Sequence, residues 1–507
     1  MSSEYITLHS DENQARGIAQ YAIDFMGGKY APPDAGVLAK VEQFHLDSIA
    51  CGVSALACGT NAPRVLRTEA LEYAVTGATE GVPCFGSRVR VMPEKAVLAN
   101  SAAVREWDAN GTNFGYNPAR GATRGEFGHN DFYPVAVAAA QLRGLDGRQT
   151  LLAMLLIDEI RGRLAEVFAL KDHKIDHVVH GAIASAAVYG AVLGATVDQI
   201  ESAIGQVVAH YVPFRAIRAG KQLSDSKGAS AAISAEAAVL SMRRAMRGFV
   251  GPADIFRNPE AIFCLFEKPS EKGRSPFDLT FATSGSDCAV MGMHFKLGLY
   301  EHQSAGAIEG LMNLLAAHPT LAGDVSHIKS LRITIYEPAF GIIGDPAKRD
   351  PRTRQSADHS MVYIIATLLR KAHQLGQAGW QELMLLPADY DDAALNDSLT
   401  RQLIDRIEFR PGGGEYDSKY PDGIPTTLEI DHAGLGPLSS GLVMYPEGHA
   451  RNTSGNLSAL LAHKFRQLAS LGVADVDALY MRFTGLADKA PQDIAELYTF
   501  PIVGLGD

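Results

Sequence analysis

The chain has 507 residues, of which 47% are hydrophobic, 20% charged and 8% aromatic, and its formal net charge is −11. That length rules out one small module and predicts about three ordinary domains or two large ones, while the apolar share provides a buried core and excludes global disorder. The acidic balance argues against a nucleic-acid partner held through counterion release, so any anionic ligand must meet a local basic pocket.

Five scattered cysteines, Cys51, Cys58, Cys84, Cys264 and Cys288, match neither a disulfide framework nor the paired short spacings of a zinc site, and they read as small buried hydrophobes in a reducing compartment. The longest apolar run, Leu151 to Ile157, is far shorter than the roughly 18 residues of a membrane span. Glu4, Asp11 and Glu12 against Arg16 fit neither a secretory signal nor a transit peptide, so a cytoplasmic protein without a membrane partner is expected.

From about residue 13 to 250 the pattern is helical and Ala-rich, with apolar residues three and four apart such as Val37, Val41 and Phe44, and strand-like alternation is nearly absent. A capping box, Thr196 with Gln199, opens one helix, and Gly194 closes the one before it, which starts near Gly181. Near Pro276 the character changes. Ile328 to Tyr336 alternates with period two and predicts a strand; Thr426 to Ile430 and Leu438 to Tyr445 predict a pair joined by a turn; Ser360 to Leu375 and Asn396 to Asp405 predict helices between them. Leu457 to Leu471, Val476 to Thr484 and Pro491 to Tyr498 are again helical. The expected fold class is mainly α, with a helical domain over 1–275, a mixed α+β domain over 276–448, and C-terminal helices over 449–507 that return to the first.

Three constellations carry chemistry. Asp108 and Thr112, then His129, lie in polar, turn-rich sequence, and Arg120 and Arg124 stand among glycines between them, where guanidinium groups can meet a carboxylate bidentately; a solvated loop with helix caps is the competing reading. In Asp172 to His180, His173, His177 and His180 fall on one face at helical spacing, but the glutamate of a zinc-protease helix is missing, so one histidine acting as acid or base is preferred over a metal, with helix caps or surface contacts as the competing reading. Arg215, Arg218, Lys221 and Lys227 gather four basic groups into a short segment suited to a polycarboxylate; a solvated basic loop competes, and Lys348 to Arg354 is a similar run. No dinucleotide fingerprint, phosphate loop or serine-hydrolase elbow is present.

Taken together, Asp108 with Thr112, Gly128-His129, Asp176-His177-Val178, Lys227, Asp358-His359-Ser360-Met361-Val362-Tyr363 and Tyr445 to Arg451 resemble the MmgE/PrpD family over nearly the whole chain. The resemblance implies an all-helical domain made by both chain ends, an inserted α+β lid, a site in the cleft between them, and a homodimer working without metal, iron–sulfur cluster or other cofactor. No cysteine pattern able to hold such a cluster occurs. The family's 2-methylcitrate dehydratase branch is most similar, implying loss of water from a tricarboxylate in propionate catabolism. The implied catalytic residues are His129, His177, Asp108, Lys227 and His302, with Thr112, Arg215 and Arg218 binding substrate; Arg120 and Arg124 are expected to bind it as well, from their own glycine-rich segment. Family members keep the Asp-to-His segment much shorter than the 21 positions separating Asp108 from His129. The alternatives are cis-aconitate decarboxylation, amino-dicarboxylate epimerisation, or a non-catalytic carboxylate-binding scaffold.

Overall fold

A computed structural model describes residues 4–77, 80–218, 222–453 and 455–506. Lys221 of the basic segment lies outside these. The architecture is mainly α. At the centre of the helical layer, Val178–Leu193 packs against Gln14–Met26, Tyr133–Arg143, Gly147–Val167, Val197–His210 and Asp225–Met246. One helix can touch five others because its surface is so small: Ala182, Ala184, Ala186 and Ala187 are fully buried, and a Cβ on Gly181 would stand 2.2 Å from the Phe132 ring. Gly194, in the left-handed region at φ +81°, caps this helix, and the Thr196–Gln199 box opens the next, as the sequence predicts. A second box, Asp146–Gln149, opens Gly147–Val167.

The C-terminal helix Leu457–Ala469 packs on Ala35–Ala57. Its fully buried Lys464 joins Asp47 at 2.5 Å, the Ala109 carbonyl, and the Lys296 carbonyl at 2.8 Å. One ammonium thereby ties both chain ends to two segments that line the cleft described below.

A four-stranded sheet runs Gly436–Val443, Thr426–His432, Ile328–Ile335, Ile407–Pro411, with the last pairing parallel and the others antiparallel. Leu331 and Ile333 face Ile430 and Leu428 on one neighbour and Ile407 and Phe409 on the other, and Ala305–Ala317 packs across the first two strands. The expected strands and the helices Met361–Leu375, Ser398–Ile404, Leu457–Ala469, Val476–Phe483 and Pro491–Ala495 are present within a few residues of their predicted limits.

The first 300 residues nevertheless hold more strand than predicted. Tyr5–Leu8 pairs with Leu279–Ala282, Val82–Pro83 with Arg90–Val91, and Thr112–Phe114 with Glu126–His129. Strands of two to four residues are too short to display period-two alternation. The last pairing makes an antiparallel hairpin of the Gly- and Arg-rich segment that reads as a loop. No helix among the described residues is long and apolar enough to cross a membrane.

Candidate active site

A cleft of about 120 Å³ lies where the helical layer meets the segments 296–303 and 342–359. Its lining includes six cationic side chains, Arg105, Arg215, Arg218, Lys227, Lys296 and Lys348, against two carboxylates, Asp108 and Glu301. Concentrating positive charge in an acidic protein marks this cleft for an anion.

Asp108, 3% exposed, is the hub of the floor. It receives the Lys296 ammonium, the Arg105 guanidinium at 3.4 Å, Lys227 at 3.8 Å and Nε2 of His359 at 2.9 Å. Burial alone would push its carboxyl up, but Lys296, then Arg105 and Lys227, hold it well below the usual range. Lys227 sits in the first turn of Asp225–Met246 and also reaches Asp358 at 3.4 Å and Nδ1 of His359 at 3.2 Å. Burial lowers its ammonium to about 8 against the pull of Asp358 and Asp108. Asp108, Asp358 and His359 place ligand-type atoms within 4.8 Å of one another, and it is Lys227 that stands against all three.

The imidazoles differ in what they leave open. Nδ1 of His129 is 3.1 Å from the Gly111 carbonyl, which fixes the proton there, so Nε2 accepts from Arg105 at 3.1 Å. Its lone pair is taken. His177, at the N-terminal cap of Val178–Leu193, faces Asp176 with Nδ1 at 3.4 Å, and its buried Nε2 has no hydrogen-bond partner. Asp176 is itself gripped by Arg218 through both carboxylate oxygens. Burial drops both imidazoles well below their ordinary value, aided for His129 by Arg105, so both are neutral near pH 7. Neither ring nitrogen of His302 has a partner; its ring stacks on His294 at 5.1 Å, which stacks on His449 at 3.9 Å.

The structure brings Asp108, Thr112, His129, His177, Arg215, Arg218, Lys227 and His302 together in this lining. It does not bring Arg120 or Arg124. Arg120 pairs with Asp287 at 3.0 Å and lies 4.1 Å over the Tyr5 ring, and Arg124 pairs with Glu267 at 2.6 Å, because the hairpin between Thr112 and His129 carries both away from the cleft. The three-histidine face also dissolves. His173 ends a short turn, Lys174 enters the left-handed region at φ +59°, and the helix starts only at Val178; His173 meets Glu267, and His180 is committed to the Phe168 carbonyl.

Sequence reasoning missed Arg105, Lys296, Glu301, Lys348 and His359 as site residues. His359 lies in the Asp358-to-Tyr363 motif, and Lys348 opens the basic run Lys348 to Arg354. Arg105 and Lys296 carried no local signal, one being the last residue of a helix and the other in irregular chain.

A larger cavity of about 260 Å³ opens on the other side of the hairpin, lined by Tyr116, Arg163, Glu166, Asp422, His449 and Arg451 among others. Its arginines are already paired, Arg163 with Glu166 at 2.8 Å and Arg451 with Asp422, so it offers an anion much less than the cleft does.

The profile of the MmgE/PrpD N-terminal domain matches residues 16–274 and that of the MmgE/PrpD C-terminal domain residues 300–479. The 2-methylcitrate dehydratases of Salmonella typhi and Escherichia coli K12 are each 23% identical to the chain, covering 83% and 82% of it and 83% of their own length. That of Cupriavidus necator is 24% identical, covering 83% of both.

Proposed function

The chain belongs to the MmgE/PrpD family, and from that premise we propose that it is a hydro-lyase of the 2-methylcitrate dehydratase type, removing water from 2-methylcitrate, and from citrate as a second substrate, to give an alkene conjugated to a carboxylate. The observation that carries this reading is the cleft itself: buried neutral imidazoles beside six cationic groups and only two carboxylates. A polycarboxylate supplies the missing negative charge, and a proton leaving a carbon next to a carboxylate needs both a base and cations against the enediolate that develops.

His177 is the base in this reading, because its Nε2 carries a lone pair without a partner while Asp176 faces Nδ1. His129 is less suited, since taking a proton on Nε2 would turn it against Arg105. The C–H bond breaks toward His177, its electron pair becomes the new double bond, and the C–O bond breaks as the departing hydroxyl takes a proton from Lys227. An ammonium whose value lies at about 8 can give that proton near neutral pH. Lys296, Arg215 and Arg218 meet carboxylates, Asp108 holds Lys296 and His359 in place, and Thr112 and His302 contact substrate. Residues 276–448 serve as the lid over a helical body formed by 1–275 and 449–507, and the chain works as a cytoplasmic homodimer without a cofactor. Sedimentation measures the last assembly directly.

The test is an ultraviolet assay for alkene formation from 2-methylcitrate and from citrate after chelator treatment, with products resolved by mass spectrometry. Alkene without gas release supports the dehydratase. Carbon dioxide from cis-aconitate, or inverted stereochemistry in an amino-dicarboxylate, would assign a sister reaction on the same scaffold, and binding without turnover a non-catalytic one.

A further inference from the structure

The lining of the cleft is chemically lopsided. Its most deeply buried side chains are mostly polar, whereas of its apolar side chains Phe127, Leu223 and Ile342 are half-buried toward the mouth, and Ile343, 3% exposed, belongs to the hydrophobic core. Two of these four belong to one turn of helix, Ala339–Ile343, and the same segment continues into Lys348. Unlike Lys227 and Lys296, Lys348 has no carboxylate within ion-pair distance among the described residues.

The segment's backbone is nonetheless fixed. The Lys348 carbonyl accepts from Ser360 Oγ at 2.6 Å, its N–H donates to the Asp345 carbonyl at 2.9 Å, and Arg349 donates to the carbonyls of Ile404 and Ile407 at 2.9 and 2.8 Å. A half-buried ammonium without an ion pair among the described residues, drawn only at longer range by Glu301, Asp358 and Asp345, on an anchored backbone and in one lining with the half-buried Ile342, is a preformed place for a carboxylate with a small alkyl group next to it. Both features are needed to account for it, since a carboxylate alone would leave Ile342 wet and an alkyl group alone would leave the ammonium unpaired.

We infer that Ile342 and Lys348 form the subsite that reads one arm of the substrate, a carboxylate on an alkyl-bearing carbon, and so set the preference for an alkylated tricarboxylate over citrate. In 2-methylcitrate that arm is the carbon carrying both the methyl group and a carboxylate. The inference deepens the dehydratase reading, and it is tested by binding so that the two can fail separately.

Calorimetric titration of the full chain with 2-methylcitrate and with citrate decides it. Wild type binds 2-methylcitrate about fourfold or more tightly than citrate, the gain from burying one methyl group. Ile342→Ala brings that ratio close to one with citrate affinity kept within about twofold, and Ile342→Val gives an intermediate ratio. Lys348→Gln weakens both ligands alike, by about tenfold or more, and leaves the ratio unchanged. The split between the variants is what a merely structural role would not produce. A ratio that Ile342→Ala leaves intact, equal loss of both ligands in that variant, unchanged affinities in Lys348→Gln, or no binding of either ligand to wild type overturns the subsite. The expected binding pattern together with no alkene from either compound would instead overturn the dehydratase reading and leave the subsite standing.

Discussion

On the floor of the cleft opposite charges stand beside one another, with Asp108 among Lys296, Arg105 and Lys227 and Asp176 against Arg218. At the mouth, Arg215 and Lys348 have no carboxylate partner among the described residues. The floor charges therefore hold one another in position before substrate arrives. The mouth is complete only when an anion arrives. Groups of the first kind must carry stability and turnover together, because removing one partner strands the other in a low-dielectric site; groups of the second kind must act on affinity alone.

The strongest way to break that contrast is Asp108→Asn, which leaves Lys296, Arg105, Lys227 and His359 around an uncharged amide. Denaturant unfolding should show a loss of about 3–5 kcal/mol, and turnover should fall at least about 100-fold. Because the folded carboxyl lies below its ordinary value of 3.8, its contribution is present above that value and disappears as the pH falls through the folded pKa, so wild type and variant should converge in strong acid. A variant as stable as wild type at pH 7 would mean that the floor is not structural.

The next effect sharpens the contrast among histidines. His177→Ala should reduce turnover by about 10²–10⁴-fold with little change in the Michaelis constant, as expected of a group that acts on the proton and not on binding. Turnover within a few-fold of wild type would remove His177 as the base and return attention to His302, the other imidazole of the cleft lining with unpartnered nitrogens.

A third test uses pH. The Lys227 ammonium titrates at about 8 in the fold and at 10.5 in an ordinary lysine, so between these values the folded chain has released a proton that the unfolded chain still holds. This group therefore adds stability as the pH rises through that window, while its charge, and with it kcat/KM, is lost. Activity falling above about pH 8 without loss of unfolding free energy is the expected signature. Lys227→Arg should move the alkaline limb past about pH 10; a limb that stays in place belongs to another group.

What could be read from the sequence follows the range over which each feature is encoded. Helices announced by local chemistry, such as the Thr196–Gln199 box and the Gly194 cap, lie where they were expected, and so does the strand Ile328–Ile335, which is long enough to alternate. The pairing of Tyr5–Leu8 with Leu279–Ala282 joins segments some 270 residues apart and left no local trace. The site divides in the same way. Short motifs found Asp108, His129, His177 and Lys227, while Arg105, Lys296 and Lys348 become site residues only because tertiary packing delivers them to Asp108 or to the mouth. The His173–His180 face failed for a local reason that sequence spacing does not report, the left-handed Lys174 that separates a turn from a helix.

The smallest effect concerns the arginines that the hairpin carries away. Arg120 and Arg124 were expected at the substrate, where replacement would raise the Michaelis constant; in the fold each is spent on a surface partner, Arg120 on Asp287 and Tyr5 and Arg124 on Glu267. Exposed pairs of this kind contribute roughly 0–1 kcal/mol, so Arg120→Ala and Arg124→Ala should leave the Michaelis constant within about twofold and lower stability by no more than about 1 kcal/mol. Arg215→Ala, measured beside them, should raise the constant by about tenfold, since its guanidinium lines the cleft without a carboxylate of its own. If instead Arg120→Ala raised it that far, the hairpin would have to fold inward on substrate, and the mouth would extend beyond the residues that line it here.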